Sequence, residues 1–236
     1  MHVGIQSALR STVALTLLAS VATVSACSNT NVGSGSAPVT SSLSLISGSP
    51  QAATVGTAAG APIVVQVKDQ NGNNVSGVAV TFSASGGSSV TSASAVTDAQ
   101  GMASTGFTVA NIAGADTITA HVAGLAALPI PVTGLPGAAS VLAKVSGDTQ
   151  TVAVSTSLGL PLVVQARDQF GNAVPGVSVT YTTTGGTLTG AAATTDNTGT
   201  ASATLKLPAA PGVTTVTATI TGSSPAIAVT FTATGT

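Results

Sequence analysis

Short runs in which apolar and polar residues alternate occur along residues 63–220. In the run 78–82, Val78, Val80 and Phe82 alternate with smaller or polar neighbours. This period of two places the three apolar side chains on one face of a strand. The same alternation appears in 63–68, 117–122, 162–167, 177–181 and 215–220. Runs this short, and this rich in β-branched Val, Ile and Thr, predict β-strands.

The predicted strands belong to a long repeat. The segment that runs from Pro62 to Val78 returns, with few changes, from Pro161 to Val177, which is 99 residues later. Self-similarity at a fixed period divides a chain into copies of one structural unit. We therefore predict two domains in the 236 residues, at 43–136 and 137–236.

Four Asp-x-x-Gly tetrads separate the predicted strands. They begin at Asp69, Asp98, Asp168 and Asp196 and end at Gly72, Gly101, Gly171 and Gly199. A type I turn favours Asp at its first position, because the carboxylate accepts a nearby N–H, and Gly at its fourth. All four are predicted to be structural turns, and about seven short strands between such turns predict a β-sandwich for each copy.

The composition limits the possible functions. Charged residues make up 5% of the chain, Glu is absent and the formal net charge is -1. Such a chain has no basic surface for phosphates, which excludes nucleic acid as a partner. A hydrophobic content of 44% is typical of a folded protein rather than a disordered one. The single cysteine excludes an internal disulfide.

Residues 1–26 have the layout of a cleaved signal segment. A start with one basic residue, Arg10, precedes an apolar run at 11–24 that is too short for a comfortable membrane span, and small residues follow. The exit Val24-Ser25-Ala26-Cys27 resembles the lipobox of bacterial lipoproteins. The resemblance implies cleavage after Ala26 and lipidation of Cys27, with 27–42 as a flexible tether.

The strand and turn elements, in their order, resemble the bacterial Ig-like domain group 1, the repeat type of intimin and invasin stalks. The resemblance covers about residues 43–236. The first copy carries Asp69-x-x-Gly72-Asn73-x-Val75-x-Gly77-Val78-x-Val80-Thr81-Phe82, then Gly86-Gly87, then Thr97-Asp98-x-x-Gly101-x-Ala103. The second carries Asp168-x-x-Gly171-Asn172-x-Val174-x-Gly176-Val177-x-Val179-Thr180-Tyr181, then Gly185-Gly186, then Thr195-Asp196-x-x-Gly199-x-Ala201. The resemblance implies immunoglobulin-like β-sandwiches that act as spacers or adhesive modules.

No antibody-type cysteine pair or tryptophan is present, so the core must consist of aliphatic residues and a few aromatics. We expect Phe82, Phe107, Tyr181 and Phe231 to be buried.

Few residues are candidates for chemistry. Alternation places His121 on an outward face, and we expect it to be an exposed histidine without a catalytic role, although Asp116 is close in sequence. Each turn aspartate is the only carboxylate in its tetrad, whereas Ca²⁺ takes about six to eight oxygens, so no metal site is predicted. No phosphate loop or Cys/His cluster exists, and no cofactor is predicted.

Phe170 is the candidate binding residue. It stands within a turn tetrad, where the first copy has Asn71. An aromatic side chain at a loop tip can contact a partner, or it can pack on the neighbouring domain.

These observations predict a non-enzymatic envelope lipoprotein. Its two modules would act as a structural, adhesive or protein-interaction element at the bacterial cell surface. The expected partners are the membrane, through the lipid anchor, and a protein or cell-surface partner. The resemblance to bacterial lipoproteins implies that Ser28, directly after Cys27, favours the outer membrane. A periplasm-facing scaffold subunit and, from the enzyme class, an envelope hydrolase are the alternatives.

Overall fold

Alternating and β-branched segments form β-strands in both halves of the chain. The computed structural model describes residues 39–236. The signal segment, Cys27 and most of the predicted tether lie outside the described residues.

The first domain contains ten strands. They are β1 (Thr40–Ser47), β2 (Gln51–Thr54), β3 (Ile63–Asp69), β4 (Ala79–Ala84), β5 (Ser89–Val90), β6 (Ser94–Val96), β7 (Met102–Thr105), β8 (Phe107–Thr108), β9 (Gly114–His121) and β10 (Leu128–Leu135). Their main sheets have the orders β1-β3-β7 and β2-β10-β9-β4-β6, and β5 pairs with β8.

The second domain contains eight strands. They are β11 (Val141–Ser146), β12 (Gln150–Val152), β13 (Leu162–Arg167), β14 (Val179–Thr183), β15 (Thr187–Thr189), β16 (Thr200–Lys206), β17 (Gly212–Ile220) and β18 (Ala228–Gly235). Their sheets have the orders β11-β13-β16-β15 and β12-β18-β17-β14. The prediction of two all-β, immunoglobulin-like sandwiches is confirmed.

Each domain has its own hydrophobic core, built from the inward residues of the alternating strands. The core of the first domain includes Val65, Ile118 and Ile130, and the core of the second includes Leu162 and Val164; all five are fully buried. Because hydrophobic burial is the main favourable term in folding, each copy has what it needs to be a domain.

The aromatic residues follow the prediction with one exception. Phe82, Phe107 and Phe231 are buried, whereas Tyr181 is only partly buried. The Tyr181 hydroxyl donates a hydrogen bond of 2.8 Å to the Ala201 carbonyl. A tyrosine in a core position must find a partner for its hydroxyl, which keeps its polar tip near the core boundary. Burial raises the pKa of Tyr181 to about 12.

The strand number exceeds the predicted seven for three reasons. In both domains the first strand is divided between the two sheets: β1 pairs with β3 and β2 with β10, while β11 pairs with β13 and β12 with β18. In the first domain Gly106 also separates β7 from β8, and an additional strand, β6, pairs with β4. The structure also places 40–42, assigned to the tether, in β1.

A glycine stands where the first strand changes sheets. Gly48 has φ of 100°, and a Cβ at this residue would lie 2.5 Å from the Pro62 carbonyl oxygen. Gly147 has φ of 90°, and its Cβ would lie 2.2 Å from the Pro161 carbonyl oxygen. Both contacts are closer than real side chains permit, so the change of sheet requires glycine.

The change of sheet leaves half of β10 without a neighbour on one side. The parallel partner β2 pairs only with Val132 and the residues after it. Pro129 and Pro131 occupy the uncovered half, and the Ser49 hydroxyl donates to the Pro131 carbonyl at 2.9 Å. Proline has no N–H, so this edge offers fewer donors to an added strand.

We expect the double variant Pro129→Val, Pro131→Val to self-associate. The substitutions restore two outward N–H groups on an edge without charged side chains. Light scattering of the purified full chain should show an increased mean mass. Thr133→Val is the matched control, because Thr133 is also exposed on β10 but is paired with Ala52 of β2. Unchanged scattering of the double variant would contradict the protective role.

Candidate functional site at the joint between the domains

The four Asp-x-x-Gly tetrads form turns of one construction. In the Asp168 turn, the Gly171 N–H donates to the Asp168 carbonyl at 3.1 Å, and the carboxylate Oδ1 accepts the N–H groups of Phe170 and Asn172, each at 2.9 Å. The fourth-position glycines have φ between 71° and 87°. The same carboxylate bonds join Asp69 to Asn71 and Asn73, Asp98 to Gln100 and Met102, and Asp196 to Thr198 and Thr200.

The two turns of a domain lie together at one end of its sandwich. The Gly101 carbonyl, in the second turn, accepts the Val67 N–H at 2.9 Å, two residues before the first turn begins. The equivalent bond in the second domain joins the Ala166 N–H to the Gly199 carbonyl at 2.8 Å. This end of the second domain faces the first domain, with which it forms the compact unit Ala37–Thr236.

Asn172 is the residue that links the two domains most directly. Its side-chain Oδ1 accepts the Ala113 N–H at 2.9 Å, and its Nδ2 donates to the Asn111 carbonyl at 2.8 Å. The same Nδ2 donates to Asp168 Oδ2 at 2.9 Å. The amide is therefore fixed by its own turn and presents both of its polar atoms to the backbone of the first domain.

The Asp168 carboxylate also holds the link between the domains. Its Oδ2 accepts the Gly137 N–H at 2.9 Å, and the side chain is 2% exposed. Burial raises the pKa of Asp168, but the hydrogen bonds from Asn172, Gly137 and Phe170 outweigh this effect and hold the pKa below its ordinary value of 3.8. The carboxylate is therefore ionised at neutral pH.

The Phe170 ring lies against Gly56 of the first domain. A Cβ at Gly56 would be 3.0 Å from Cζ and 3.1 Å from Cε2 of that ring. The side chain is nevertheless 41% exposed. We call the contact between the domains the joint; it consists of Asp168, Phe170 and Asn172 of the second domain against residues 56, 111, 113 and 137. The structure places Phe170 at this joint with part of its ring open to solvent. Contact of Phe170 with an external partner stays a prediction.

The joint is not repeated elsewhere in the described residues. The first-copy turn has Asn71 at the position of Phe170, and among the described residues its Asn73 amide donates to Asp69 at 3.1 Å and not to the other domain. At the far end of the second domain, Pro211 replaces Ala113, and proline has no N–H to donate to a further turn.

The candidate catalytic residues are not brought together. Asp116 and His121 lie five residues apart on β9, so their side chains point to opposite faces of the strand. Five residues also correspond to roughly 17 Å along a strand. The Asp116 carboxylate instead accepts hydrogen bonds from the hydroxyls of Ser85 and Ser88. His121 is exposed, as expected.

The remaining surface offers little for a small ligand. Residues 39–236 contain no group of three or more metal-ligating side chains. No pocket is found in the structure as described. Within the same residues there is no helix with the length and apolar character that a membrane crossing requires.

Sequence reasoning missed the role of Asn172, although a signal for it exists. The tetrads at Asp69 and Asp168 are each followed by Asn, whereas those at Asp98 and Asp196 are followed by Met102 and Thr200. An amide placed directly after a turn, and only in the turns nearer the start of each copy, indicates a separate role. The residues that it contacts, at 111 and 113, carry no such signal because they contribute only backbone atoms.

Comparison with known families identifies the fold. The family model for the bacterial Ig-like domain (group 1) matches residues 42–135 and 160–232. The chain belongs to this family, and the resemblance stated from its motifs is confirmed. A search of curated protein sequences gives no match.

Two solved structures of bacterial proteins share the fold. The Yersinia pseudotuberculosis protein InvD is 20% identical with a TM-score of 0.59, and the alignment covers 82% of this chain and 57% of that one. The Escherichia coli adhesin FdeC is 22% identical with a TM-score of 0.56, with coverage of 80% and 62%. This chain thus spans about three fifths of these two structures.

The variant Asn172→Ala should loosen the joint. It removes the two bonds to the backbone of the first domain, and each lost bond that leaves a polar group unpaired costs about 1–3 kcal/mol. Asn73→Ala is the matched control, because it loses only the equivalent bond to Asp69. Small-angle scattering should show a broader distribution of interdomain distances for Asn172→Ala alone. Equal behaviour of the two variants would contradict the role of Asn172.

Acid should weaken the joint as well. The folded Asp168 carboxylate has a lowered pKa, so its contribution is complete above the unfolded value of 3.8 and is lost as the pH falls towards the folded pKa. We expect interdomain distances from scattering to broaden below about pH 4. In Asp168→Asn the joint should be loose at every pH, whereas Asp69→Asn, outside the joint, should behave as the wild type. A pH-independent wild-type joint would contradict this assignment.

Proposed function

We propose that this protein is a non-enzymatic envelope lipoprotein whose two Ig-like modules act as a structural or adhesive element at the bacterial cell surface. The observation that carries the proposal is the pair of group 1 bacterial Ig-like domains, fastened by a joint built from Asp168 and Asn172. A folded, hydrogen-bonded pair of domains suits binding or support.

The joint favours a role in which the position of the second domain matters. The link between the last strand of one domain and the first of the next is five residues, 136–140, and Asp168 holds its Gly137. Loosely connected modules reorient freely unless their interface is well made. Here hydrogen bonds between side chains and backbone fix the connection, as is required of a stalk or of a domain that holds a binding surface in position.

The anchoring half of the proposal rests on Cys27. A lone cysteine at the end of a signal-like segment fits diacylglycerol modification, and two or more acyl chains give stable membrane attachment. With Ser28 next to it, the anchor is proposed to lie in the outer membrane. FdeC, which shares the fold, is an adhesin, and this supports an adhesive role for modules displayed in this way.

The experiment compares the full chain with Cys27→Ser in the native type of host cell. Mass spectrometry of the mature wild type should show cleavage before Cys27 and an added diacylglycerol and acyl group, and the protein should fractionate with membranes. Cys27→Ser should lose both properties. Protease added to intact cells should cleave the wild-type domains.

The possible outcomes separate the parts of the proposal. An unmodified wild-type N-terminus would refute the lipid anchor. A lipidated protein that resists external protease until the outer membrane is opened would refute surface display and favour the periplasm-facing scaffold.

A further inference from the structure

Part of β18 forms an uncovered backbone edge of the second domain. The partner strand β12 pairs only with Ala233 and the residues after it. Residues 228–231 therefore have β17 on one side and no strand on the other, whereas the Thr232 carbonyl already accepts the Thr149 N–H at 2.9 Å. Such an edge can accept an additional strand.

Two side chains from the segment where the first strand changes sheets occupy this edge. Asp148 Oδ1 accepts the Thr232 N–H at 2.9 Å, and Lys144 Nζ donates to the Thr230 carbonyl at 3.1 Å. Lys144 and Asp148 also form an ion pair, and Lys144 Nζ lies 5.8 Å from the centre of the Phe231 ring. The Thr232 N–H and the Thr230 carbonyl are thus capped by side chains instead of a strand.

The two copies protect the same edge by different chemistry. The strand register aligns Thr230 with Pro129 and Thr232 with Pro131. In the first domain the donors are absent, because proline has no N–H. In the second domain the donor at Thr232 is present and only covered. Movement of the Asp148 side chain would expose the Thr232 N–H, whereas no side-chain movement can supply an N–H at Pro131.

We propose that the edge of β18 from Ala228 to the Thr232 N–H is a self-association surface, which pairs antiparallel with the same edge of a second copy when Asp148 and Lys144 swing away. Antiparallel pairing of identical edges gives a two-fold contact in which each copy supplies the same donors and acceptors. The strand Ala228–Gly235 contains no charged residue, so two copies do not repel each other. The prolines of β10 exclude the first domain from the same pairing.

The cap is suited to displacement. The side chains of Lys144 and Asp148 are 39% and 29% exposed. Ion pairs in such positions are partly solvated and contribute little net stability. A second strand would replace their two contacts with the edge by main-chain bonds of the same kind, and both charges would return to water.

The test measures self-association of the full chain in a non-ionic detergent by sedimentation velocity. Asp148→Ala, which uncovers the Thr232 N–H, should dimerise at least about tenfold more tightly than the wild type. Adding Thr232→Pro, which copies Pro131, should abolish the gain. Adding Thr232→Val, which keeps the N–H, should preserve it. Thr230→Pro serves in place of Thr232→Pro if thermal unfolding shows that the latter is not folded.

Hydrogen exchange locates the contact. In Asp148→Ala, amide protection at Thr230 and Thr232 should rise with protein concentration, while protection in β10 stays constant. An Asp148→Ala chain no more associated than the wild type would overturn the proposal. So would a dimer that persists with either proline, or one that protects a different strand.

Discussion

The Asp168 carboxylate connects the turn, the link and the joint of this protein. One oxygen organises the turn by accepting two backbone N–H groups, and the other holds Gly137 of the link and the amide of Asn172. Because that amide also bonds to the backbone of the first domain, the position of the Asp168 carboxylate fixes how the two domains are connected. A buried acceptor with all its partners satisfied is stable, whereas a loss of any partner leaves a buried group unpaired.

The two copies have the same fold but differ at several surface positions. The two copies share their turns, the division of the first strand and the glycine that permits it. They differ where each domain meets something outside itself: Phe170 replaces Asn71 at the joint, and Thr232 replaces Pro131 at the exposed edge. Positions that stabilise a sandwich are constrained by packing, while those that face outward are free to acquire different roles.

The sequence predicted the parts of the structure that depend on local rules. Alternation located strands such as β13 with its observed bounds, and the tetrads marked the turns, because both patterns act within a few residues. The change of sheet near Gly48 was not predicted, because it depends on a carbonyl 14 residues away at Pro62. The partners of Asn172 were not predicted either, since a contact between backbone and a distant side chain leaves no trace in the pattern of apolar residues. Tyr181 deviated because its hydroxyl had to reach the Ala201 carbonyl.

The distribution of charge links the fold to its proposed role. In a chain that is 5% charged, all six aspartates serve structural bonds. Four close turns, Asp116 accepts hydrogen bonds from Ser85 and Ser88, and Asp148 caps β18. Few charges then remain for solvation or for steering a charged ligand. The exposed residues instead include many threonines, serines and alanines, whose hydroxyl and methyl groups recognise by shape and hydrogen bonding over an area. A surface of this kind suits contact with another folded surface rather than capture of a small charged molecule.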